Sequence, residues 1–429
     1  MYRTITRENI DEIPNESFRS YAGMYLDIED QTNRLIENFG LPFAIEQSTI
    51  TKDEVVKDGA VSRNEGKSLY VNWISPACRA CKKGERTLTS IISLKCHKNC
   101  YFCFNPNQEN YGTFRIKDHD PIGELNERLL KGERFDHIAL TGGEPLLHPK
   151  KTAQFFAFVH ENSRNTYTRL YTAGDLLTEE ILQDLKDARL DEIRFSVKQE
   201  ESDGEKEKLF SLMKLAKQYI PFVVVEMPVI PGTLEKMKEL LHRLEEIGVQ
   251  GINLLEFCFP MHNAEEFQRR GFKLKFPPYE TYYNYWYAGG LAVHKSEEEC
   301  LKLLQYANEQ QLKLGVHYCS LENKHTGQLY KQNKHVQLSK LYSFSNKDFF
   351  IKSAKVFGED REIAAEKLRK HGMKTFEEND QFDFLQFPIS AIKYLKDSPV
   401  QIAVCSYVNE MRGGEEVLRE VKVEWALPD

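Results

Sequence analysis

The sequence predicts an α/β fold built as a partial (β/α)6 barrel of the TIM type, flanked by smaller segments. Two observations lead to this prediction. From about residue 87, short runs typical of strands alternate with amphipathic helical runs. Helices of this length between strands imply parallel strands joined by right-handed crossovers. Six such units are fewer than the eight of a closed barrel, so we expect a partial one.

The strands and helices of this core follow from their apolar patterns. The predicted strands cover 87–95, 136–141, 168–173, 192–198, 222–230 and 251–257. The helices between them have apolar residues at three- and four-residue spacing and cover 121–131, 149–162, 178–188, 204–219 and 233–247. A further helix at 296–313 leads to a short apolar run at 314–320.

The flanking segments have a different character. Residues 1–70 read as helix and loop without a strong strand, and 321–350 show no clear period. The C-terminal part predicts a helix at 360–371, a second helix further on, and strands near 381–388, 400–408 and 420–427. We therefore expect an α-rich N-terminal segment (1–75), a parallel α/β core (76–335) and a small α+β C-terminal domain (336–429).

Composition narrows the class of protein. The chain has 429 residues, 41% of them hydrophobic, and a net charge of −7. This charge argues against non-specific nucleic-acid binding, which needs a basic surface. No apolar run approaches 18 residues, so no membrane-spanning helix is expected. The N-terminus, MYRTITRENIDEIPNE, has no apolar signal core, which predicts a cytoplasmic protein.

Cysteines are unevenly distributed along the chain. There are nine, and five of them fall within the 26 residues from 78 to 103. In a cytosolic protein, clustered cysteines indicate metal binding more often than disulfides.

The segment CHKNCYFC, with Cys96, Cys100 and Cys103, follows the first predicted strand. Its C-x3-C-x2-C spacing lets three thiolates converge on one iron–sulfur cluster. Because a [4Fe–4S] cluster usually takes four cysteines, one iron would stay open for a substrate. The alternative is a zinc site, for which this spacing is unusual; His97 is too close to Cys96 to serve easily as a ligand.

A second motif, TGGEP (141–145), ends the second predicted strand. Gly142 and Gly143 allow the backbone to approach a ligand closely, and the Glu144 carboxylate can accept a hydrogen bond from an ammonium group. Glycine pairs are also common in ordinary turns.

Together, C-x3-C-x-aromatic-C and GGEP resemble the signature of the radical S-adenosylmethionine (SAM) superfamily. The resemblance implies a [4Fe–4S] cluster on the three loop cysteines and SAM as the second cofactor. It places Phe102 near the adenine, and Gly142, Gly143 and Glu144 at the amino group of SAM. It also implies reductive cleavage of SAM and a flavodoxin- or ferredoxin-like electron donor.

By the same resemblance, the ends of strands four to six contact SAM. The matching residues are Ser196, Lys198, Glu226 and Glu256. Tyr171 and Thr172, at the end of the third strand, are candidates to line the pocket, since parallel α/β folds bind ligands at strand C-termini. The alternative is that these residues are simply solvated strand ends.

The remaining cysteines offer a second candidate site. Cys78 and Cys81 form a C-x2-C pair before the first barrel strand, and Cys319 follows the last one. We expect these three to hold an auxiliary iron–sulfur cluster or a zinc ion; otherwise they are unconnected thiols. Cys258 is a candidate fourth ligand or radical-handling thiol, although core packing is the simpler reading. Cys300 and Cys405 are expected to be structural.

Over roughly residues 75–335 the chain resembles radical SAM proteins related to pyruvate formate-lyase activating enzyme. It lacks the paired four-cysteine clusters of ferredoxin-containing activases, the seven-cysteine auxiliary domain and a cobalamin-binding domain. Three hypotheses follow: a radical SAM enzyme acting on a peptide or protein, one acting on a small molecule, or a non-catalytic iron–sulfur or zinc protein. The GGEP motif argues against the third.

Overall fold

The computed structural model describes residues 2–278, 280–281 and 290–427. It divides into two compact units. The larger comprises 40–279 and 285–325, and the smaller comprises 1–39, 280–284 and 326–429. The expected three-part division at 75 and 335 stays a prediction.

The elements are numbered in chain order. The strands are β1 (Tyr2–Thr4), β2 (Val61–Arg63), β3 (Ser68–Val71), β4 (Thr87–Ile91), β5 (His137–Thr141), β6 (Tyr167–Thr172), β7 (Glu192–Phe195), β8 (Phe222–Val229), β9 (Gly251–Glu256), β10 (Cys258–Phe259), β11 (Leu291–Ala292), β12 (Gly315–Cys319), β13 (Ser343–Phe344), β14 (Ile351–Phe357), β15 (Glu377–Asn379), β16 (Phe384–Phe387), β17 (Ile402–Arg412) and β18 (Glu415–Ala426). The helices are α1 (Glu16–Glu37), α2 (Lys52–Lys57), α3 (Pro76–Ala80), α4 (Tyr111–Phe114), α5 (Pro121–Leu130), α6 (Pro149–Asn162), α7 (Glu179–Asp187), α8 (Asp203–Ala216), α9 (Leu234–Ile247), α10 (Ala264–Arg269), α11 (Ser296–Glu309), α12 (Leu321–Asn333) and α13 (Asp360–Lys370).

The larger unit is organised by a nine-stranded sheet in the order β2-β3-β12-β9-β8-β7-β6-β5-β4. All neighbours from β4 to β12 pair in parallel, whereas β3 pairs antiparallel with β12 and β2 antiparallel with β3. The predicted parallel α/β core is therefore confirmed. Strand β12 extends the six predicted parallel strands by a seventh.

Apolar side chains fix the helices against one face of this sheet. In β8, the alternate residues Val223, Val225, Met227 and Val229 belong to the same core cluster as Met237, Leu240, Leu241 and Leu244 of α9. Apolar residues that alternate along the strand thus pack against apolar residues that recur every three or four positions in the helix. Gly248 ends α9 in the left-handed conformation (φ 74°), as its position in the sequence predicts.

The other face of the sheet carries polar residues, because successive strand side chains point to opposite sides. Arg194 lies on this face and pairs with Glu192 and Glu226 from its own strand and the next. Asn253 of β9 donates to Glu226 across 2.6 Å. Charged side chains inside the partial barrel therefore pair with one another. The resulting interior is polar and suits polar ligands.

The smaller unit contains a seven-stranded antiparallel sheet, with β1-β18-β17-β14-β16-β15 in order and β13 paired to β14. Phe18 of α1 stacks on Phe357 of β14 with ring centroids 5.1 Å apart. Lys355 is buried in this unit and pairs with Glu420 and the Tyr21 hydroxyl. The expected C-terminal α+β character is confirmed.

The sequence pattern missed several strands outside the core. Strands β1, β2 and β3 lie in the region expected to lack a strong strand, and β13 lies in a stretch without clear period. Each has two to four residues and forms through pairing with a distant partner, so local periodicity gives no signal for it. None of the helices described here is long and apolar enough to cross a membrane.

Candidate active site

The cysteine loop follows β4 and opens into a cavity of about 490 Å³ at the C-terminal ends of the parallel strands. Cys96, Cys100 and Cys103 all line this cavity. Within the loop, the Cys103 amide donates to the Cys100 carbonyl across 3.0 Å. The Lys98 amide lies 3.4 Å from the Cys96 Sγ atom, where it can donate to a thiolate. The loop is therefore curled so that its three thiols face one space.

Charged side chains anchor the loop to the neighbouring strands. Lys98 Nζ pairs with Asp175 across 2.9 Å and with Glu201 across 2.7 Å. The imidazole of His97 also contacts Asp175, with Nε2 at 2.9 Å from the carboxylate. These contacts tie the loop to the segments that follow β6 and β7. They also give His97 a partner other than a metal ion.

The chemistry of the three thiols fits an iron–sulfur cluster. Burial raises the pKa of Cys100 and Cys103, and the neighbouring loop thiols raise it further, while the ammonium of Lys198 opposes the increase. Thiols this close would repel one another as thiolates unless a metal centre neutralised them. Among the described side chains, no three Cys, His, Asp or Glu groups meet closely enough for a single metal ion. A cluster binds each thiolate through a different iron, so its ligands need not meet at one point.

The glycine pair joins the second strand to the cysteine loop. The Gly143 amide donates to Ser93 across 3.0 Å and the Glu144 amide to Lys95 across 2.8 Å. A Cβ on Gly143 would lie 1.8 Å from the Lys95 carbonyl oxygen. Gly142 has φ 114°, a conformation that favours glycine. The two glycines therefore allow the segment before the loop to pack directly against the TGGEP turn.

Glu144 is held rigidly at the edge of the cavity, although only 2% of its surface is exposed. Its Oε1 accepts hydrogen bonds from the Leu146 amide at 2.9 Å and the Thr172 hydroxyl at 2.7 Å. Its Oε2 accepts from the Ala173 amide at 2.7 Å. A carboxylate oxygen has two acceptor positions, so Oε2 can accept one further donor, such as an ammonium group.

The other residues predicted to contact SAM or to line its pocket also line this cavity. They are Phe102, Tyr171, Thr172, Ser196, Lys198, Glu226 and Glu256. The Phe102 ring packs against Phe257 with centroids 5.6 Å apart. Glu256 already accepts from Lys275 Nζ at 3.1 Å and from the Leu321 amide at 2.8 Å. Glu256 therefore secures the start of α12, a function that the sequence reasoning did not anticipate.

Besides Lys98 of the loop, two charged residues of the cavity were not predicted, Arg194 and Lys324. The Arg194 guanidinium is buried, pairs with Glu192 and Glu226, and lies 5.4 Å from the centroid of the Tyr171 ring. Strand alternation was the available signal for it, because Arg194 lies two residues before Ser196 and so on the same face. Lys324 lies in a segment without periodic pattern, so no comparable signal points to it.

The cysteines of the predicted auxiliary site, Cys78, Cys81 and Cys319, lie near one another but do not line the cavity. Arg194 donates to the Sγ atom of Cys78 across 3.3 Å. Burial raises the pKa of Cys319 to about 12, and the thiols of Cys81 and Cys78 add to this increase. The Asn323 amide group donates to Cys319 Sγ across 3.3 Å. The predicted auxiliary metal at these residues stays a prediction.

The remaining cysteines differ in position. Cys258 lines the cavity, where its thiol is mostly buried. Cys300 and Cys405 are fully buried in the cores of the larger and smaller units, respectively.

Part of this chain matches a known family of proteins. Residues 90–269 match the profile of the Radical SAM superfamily. A protein of Methanocaldococcus jannaschii, described as a "putative glycyl-radical enzyme activating enzyme", is 26% identical over 360 residues, which span 78% of this chain and 88% of the relative.

Two solved structures of Streptococcus suis SuiB also match. The complex with precursor peptide SuiA has a TM-score of 0.39 and 13% identity, covering 75% of this chain and 67% of that one. The S-adenosylmethionine complex has a TM-score of 0.34 and 16% identity, covering 42% of this chain and 43% of that one, less than half of the solved structure's length.

The range that matches the family profile includes both the cysteine loop and the glycine pair. A radical SAM domain implies a [4Fe–4S] cluster and SAM as cofactors. This chain is an enzyme with a radical SAM domain over residues 90–269, and it is similar to a protein described as an activating enzyme of glycyl-radical enzymes.

Proposed function

We propose that this enzyme holds a [4Fe–4S] cluster on Cys96, Cys100 and Cys103 and cleaves SAM reductively to remove a hydrogen atom from a peptide or protein. The observation that carries the proposal is that one cavity is lined by all three loop thiols and by the Gly142–Glu144 turn. Cluster ligands and a carboxylate suited to an ammonium group thus share a single space.

When bound, the cluster would supply one electron to the sulfonium of SAM, which would break a carbon–sulfur bond and yield methionine and a 5′-deoxyadenosyl radical. The radical would become 5′-deoxyadenosine by taking one hydrogen atom from the substrate. The side chains of the cavity position the reactants. In this proposal Glu144 accepts a hydrogen bond from the amino group of SAM, Lys198 pairs with its carboxylate, and Phe102 packs beside the adenine.

Electrons come from a flavodoxin- or ferredoxin-like donor in this proposal. The cytoplasm is the expected location, because thiol ligands and an open iron need a reducing compartment. The similarity to a relative described as an activator of a glycyl-radical enzyme supports a protein substrate, since it extends over 78% of this chain.

An auxiliary metal centre on Cys78, Cys81 and Cys319 is the second part of the proposal, with an iron–sulfur cluster preferred over zinc. Two observations support it. The three thiols lie close to one another, and the Arg194 guanidinium donates a hydrogen bond to the Cys78 sulfur. A guanidinium that donates to a thiolate would stabilise the negative charge of such a centre.

Isotope transfer tests the class of substrate. The reconstituted enzyme is incubated anaerobically with SAM, a reductant and a deuterated extract of cells that naturally make it. The extract is divided into a protein fraction and a fraction of small metabolites. Deuterium in 5′-deoxyadenosine with the protein fraction alone is the expected result. Deuterium only with the metabolite fraction would contradict the peptide or protein substrate while leaving the cleavage of SAM intact.

A further inference from the structure

The ammonium groups of Lys198 and Lys324 line the cavity. Neither has an anionic partner among the described residues. The other cations of the cavity are paired. Lys98 contacts Asp175 and Glu201, and Arg194 contacts Glu192 and Glu226. A partly buried cation without a partner is costly, and binding an anion offsets this cost. The cavity therefore has room for two anionic groups brought by its ligands.

Lys198 lies on the side of the cluster loop. Its charge lowers the pKa of both Cys100 and Cys103, so its ammonium group is close to the cluster ligands. The open iron, where SAM is proposed to bind, belongs to the same region. The single carboxylate of SAM therefore accounts for Lys198 and leaves Lys324 without an anion.

Lys324 lies in a different part of the lining, in the first turn of α12 directly after β12. It is half-buried, and its charge opposes the effect of burial on the pKa of the Cys258 and Cys319 thiols. The carboxylate of Glu256, the last residue of β9, already accepts hydrogen bonds from Lys275 and the Leu321 amide. Lys324 thus lines the cavity, while the neighbouring Glu256 carboxylate is bound to other groups.

We propose that Lys324 binds an oxyanion, a carboxylate or a phosphate, of the molecule from which the hydrogen atom is taken. This inference rests on the proposed function in one respect, that the substrate enters the cavity shared by the cluster loop and the TGGEP turn. In a peptide substrate the oxyanion is an acidic side chain, a terminal carboxylate or a phosphorylated side chain close to the reacting carbon. Lys324 then selects the substrate and sets its orientation.

The test measures binding of two probes to the reconstituted enzyme in the presence of SAM, by anaerobic calorimetry. One probe is the blocked amino acid N-acetylglutamate amide, and the other is inorganic phosphate. The variants are Lys324→Met, Lys324→Arg and the exposed control Lys208→Met of α8. At least one probe should bind. Lys324→Met should weaken that binding about ten-fold or more, since a hydrogen bond between charged groups is lost. Lys324→Arg should restore most of it, and Lys208→Met should behave as wild type.

The probe that binds identifies the oxyanion as a carboxylate or a phosphate. Affinity for SAM is measured in parallel, with Lys198→Met as the comparison. If neither probe binds the wild type, or if Lys324→Met leaves probe binding unchanged, the inference is wrong. A loss of SAM affinity in Lys324→Met but not in Lys198→Met would also overturn it, because Lys324 would then hold the carboxylate of SAM. None of these results depends on whether SAM is cleaved, so they are separate from a failure of the proposed function.

Discussion

Arg194 donates a hydrogen bond to the sulfur of Cys78 across 3.3 Å, although 116 residues separate them in the chain. The same guanidinium lines the cavity that the cluster loop opens into. Arg194 therefore connects the upstream cysteine pair with this cavity. Any metal held by Cys78 would lie within electrostatic influence of the reaction centre.

Metal analysis tests the auxiliary centre. In a variant with Cys96, Cys100 and Cys103 replaced by Ala, about four irons and four sulfides per chain should remain if a second [4Fe–4S] cluster is bound. Replacing Cys78, Cys81 and Cys319 as well should remove them. A single zinc would keep the site but make it structural. Absence of bound metal would show that these cysteines are ordinary thiols.

Gly143→Ala should disrupt the cysteine loop, because the new Cβ would lie 1.8 Å from the Lys95 carbonyl oxygen. Overpacking of this kind costs about 1–3 kcal/mol or more. We expect a lower melting temperature and fewer irons per chain after reconstitution. The matched control is Gly204→Ala in α8, where an added Cβ meets no atom within 4 Å. Equal iron content in the two variants would contradict the proposed contact between turn and loop.

Most strands and helices of the parallel α/β core can be predicted from the sequence, but the side-chain contacts inside the barrel cannot. Helix α6 begins and ends at the predicted residues, 149 and 162, because its apolar spacing is regular. The cysteine loop and the glycine pair were identified as one site from their motifs. Arg194 was missed although strand alternation places it on the face of Ser196, because two of its partners, Glu226 and Cys78, come close to it only in the folded chain. The contact of Gly143 with Lys95 is likewise tertiary and has no local signal.

Replacing Glu144 should weaken SAM binding. Loss of one charged hydrogen bond amounts to about 1.5–3 kcal/mol, or roughly ten- to a hundred-fold in affinity. Glu144→Ala should also destabilise the fold, because the Leu146 and Ala173 amides lose their acceptor. Glu144→Gln removes the charge and keeps the size of the side chain and one acceptor oxygen, but it replaces the other oxygen with an NH2 donor. Calorimetry with SAM, with the exposed control Glu161→Gln, measures the difference. Wild-type affinity for SAM in both Glu144 variants would show that this carboxylate does not contact SAM.

Acid should weaken the larger unit through Glu297. Burial raises the pKa of this carboxyl, but the charges of Lys275 and Lys52 outweigh it and hold the pKa at about 2. Because the folded pKa lies below the unfolded value of about 4.3, the contribution is complete above that value and is lost as pH falls towards 2. Urea unfolding at pH 7, 5 and 4 should show this loss beginning in the wild type. Glu297→Gln should be less stable at pH 7, by up to about 3 kcal/mol, and should vary less with pH. An unchanged slope in Glu297→Gln, matching the exposed control Glu239→Gln, would assign the acid sensitivity to other groups.

The most direct test of the central claim is the formation of 5′-deoxyadenosine from SAM under anaerobic, reducing conditions, followed by mass spectrometry. The wild type and the buried-cysteine control Cys300→Ala should both form it. The variant in which Cys96, Cys100 and Cys103 are all replaced by Ala should give only the background of a reaction without enzyme. Continued formation of 5′-deoxyadenosine by that triple variant would contradict a SAM-cleaving cluster on these three cysteines.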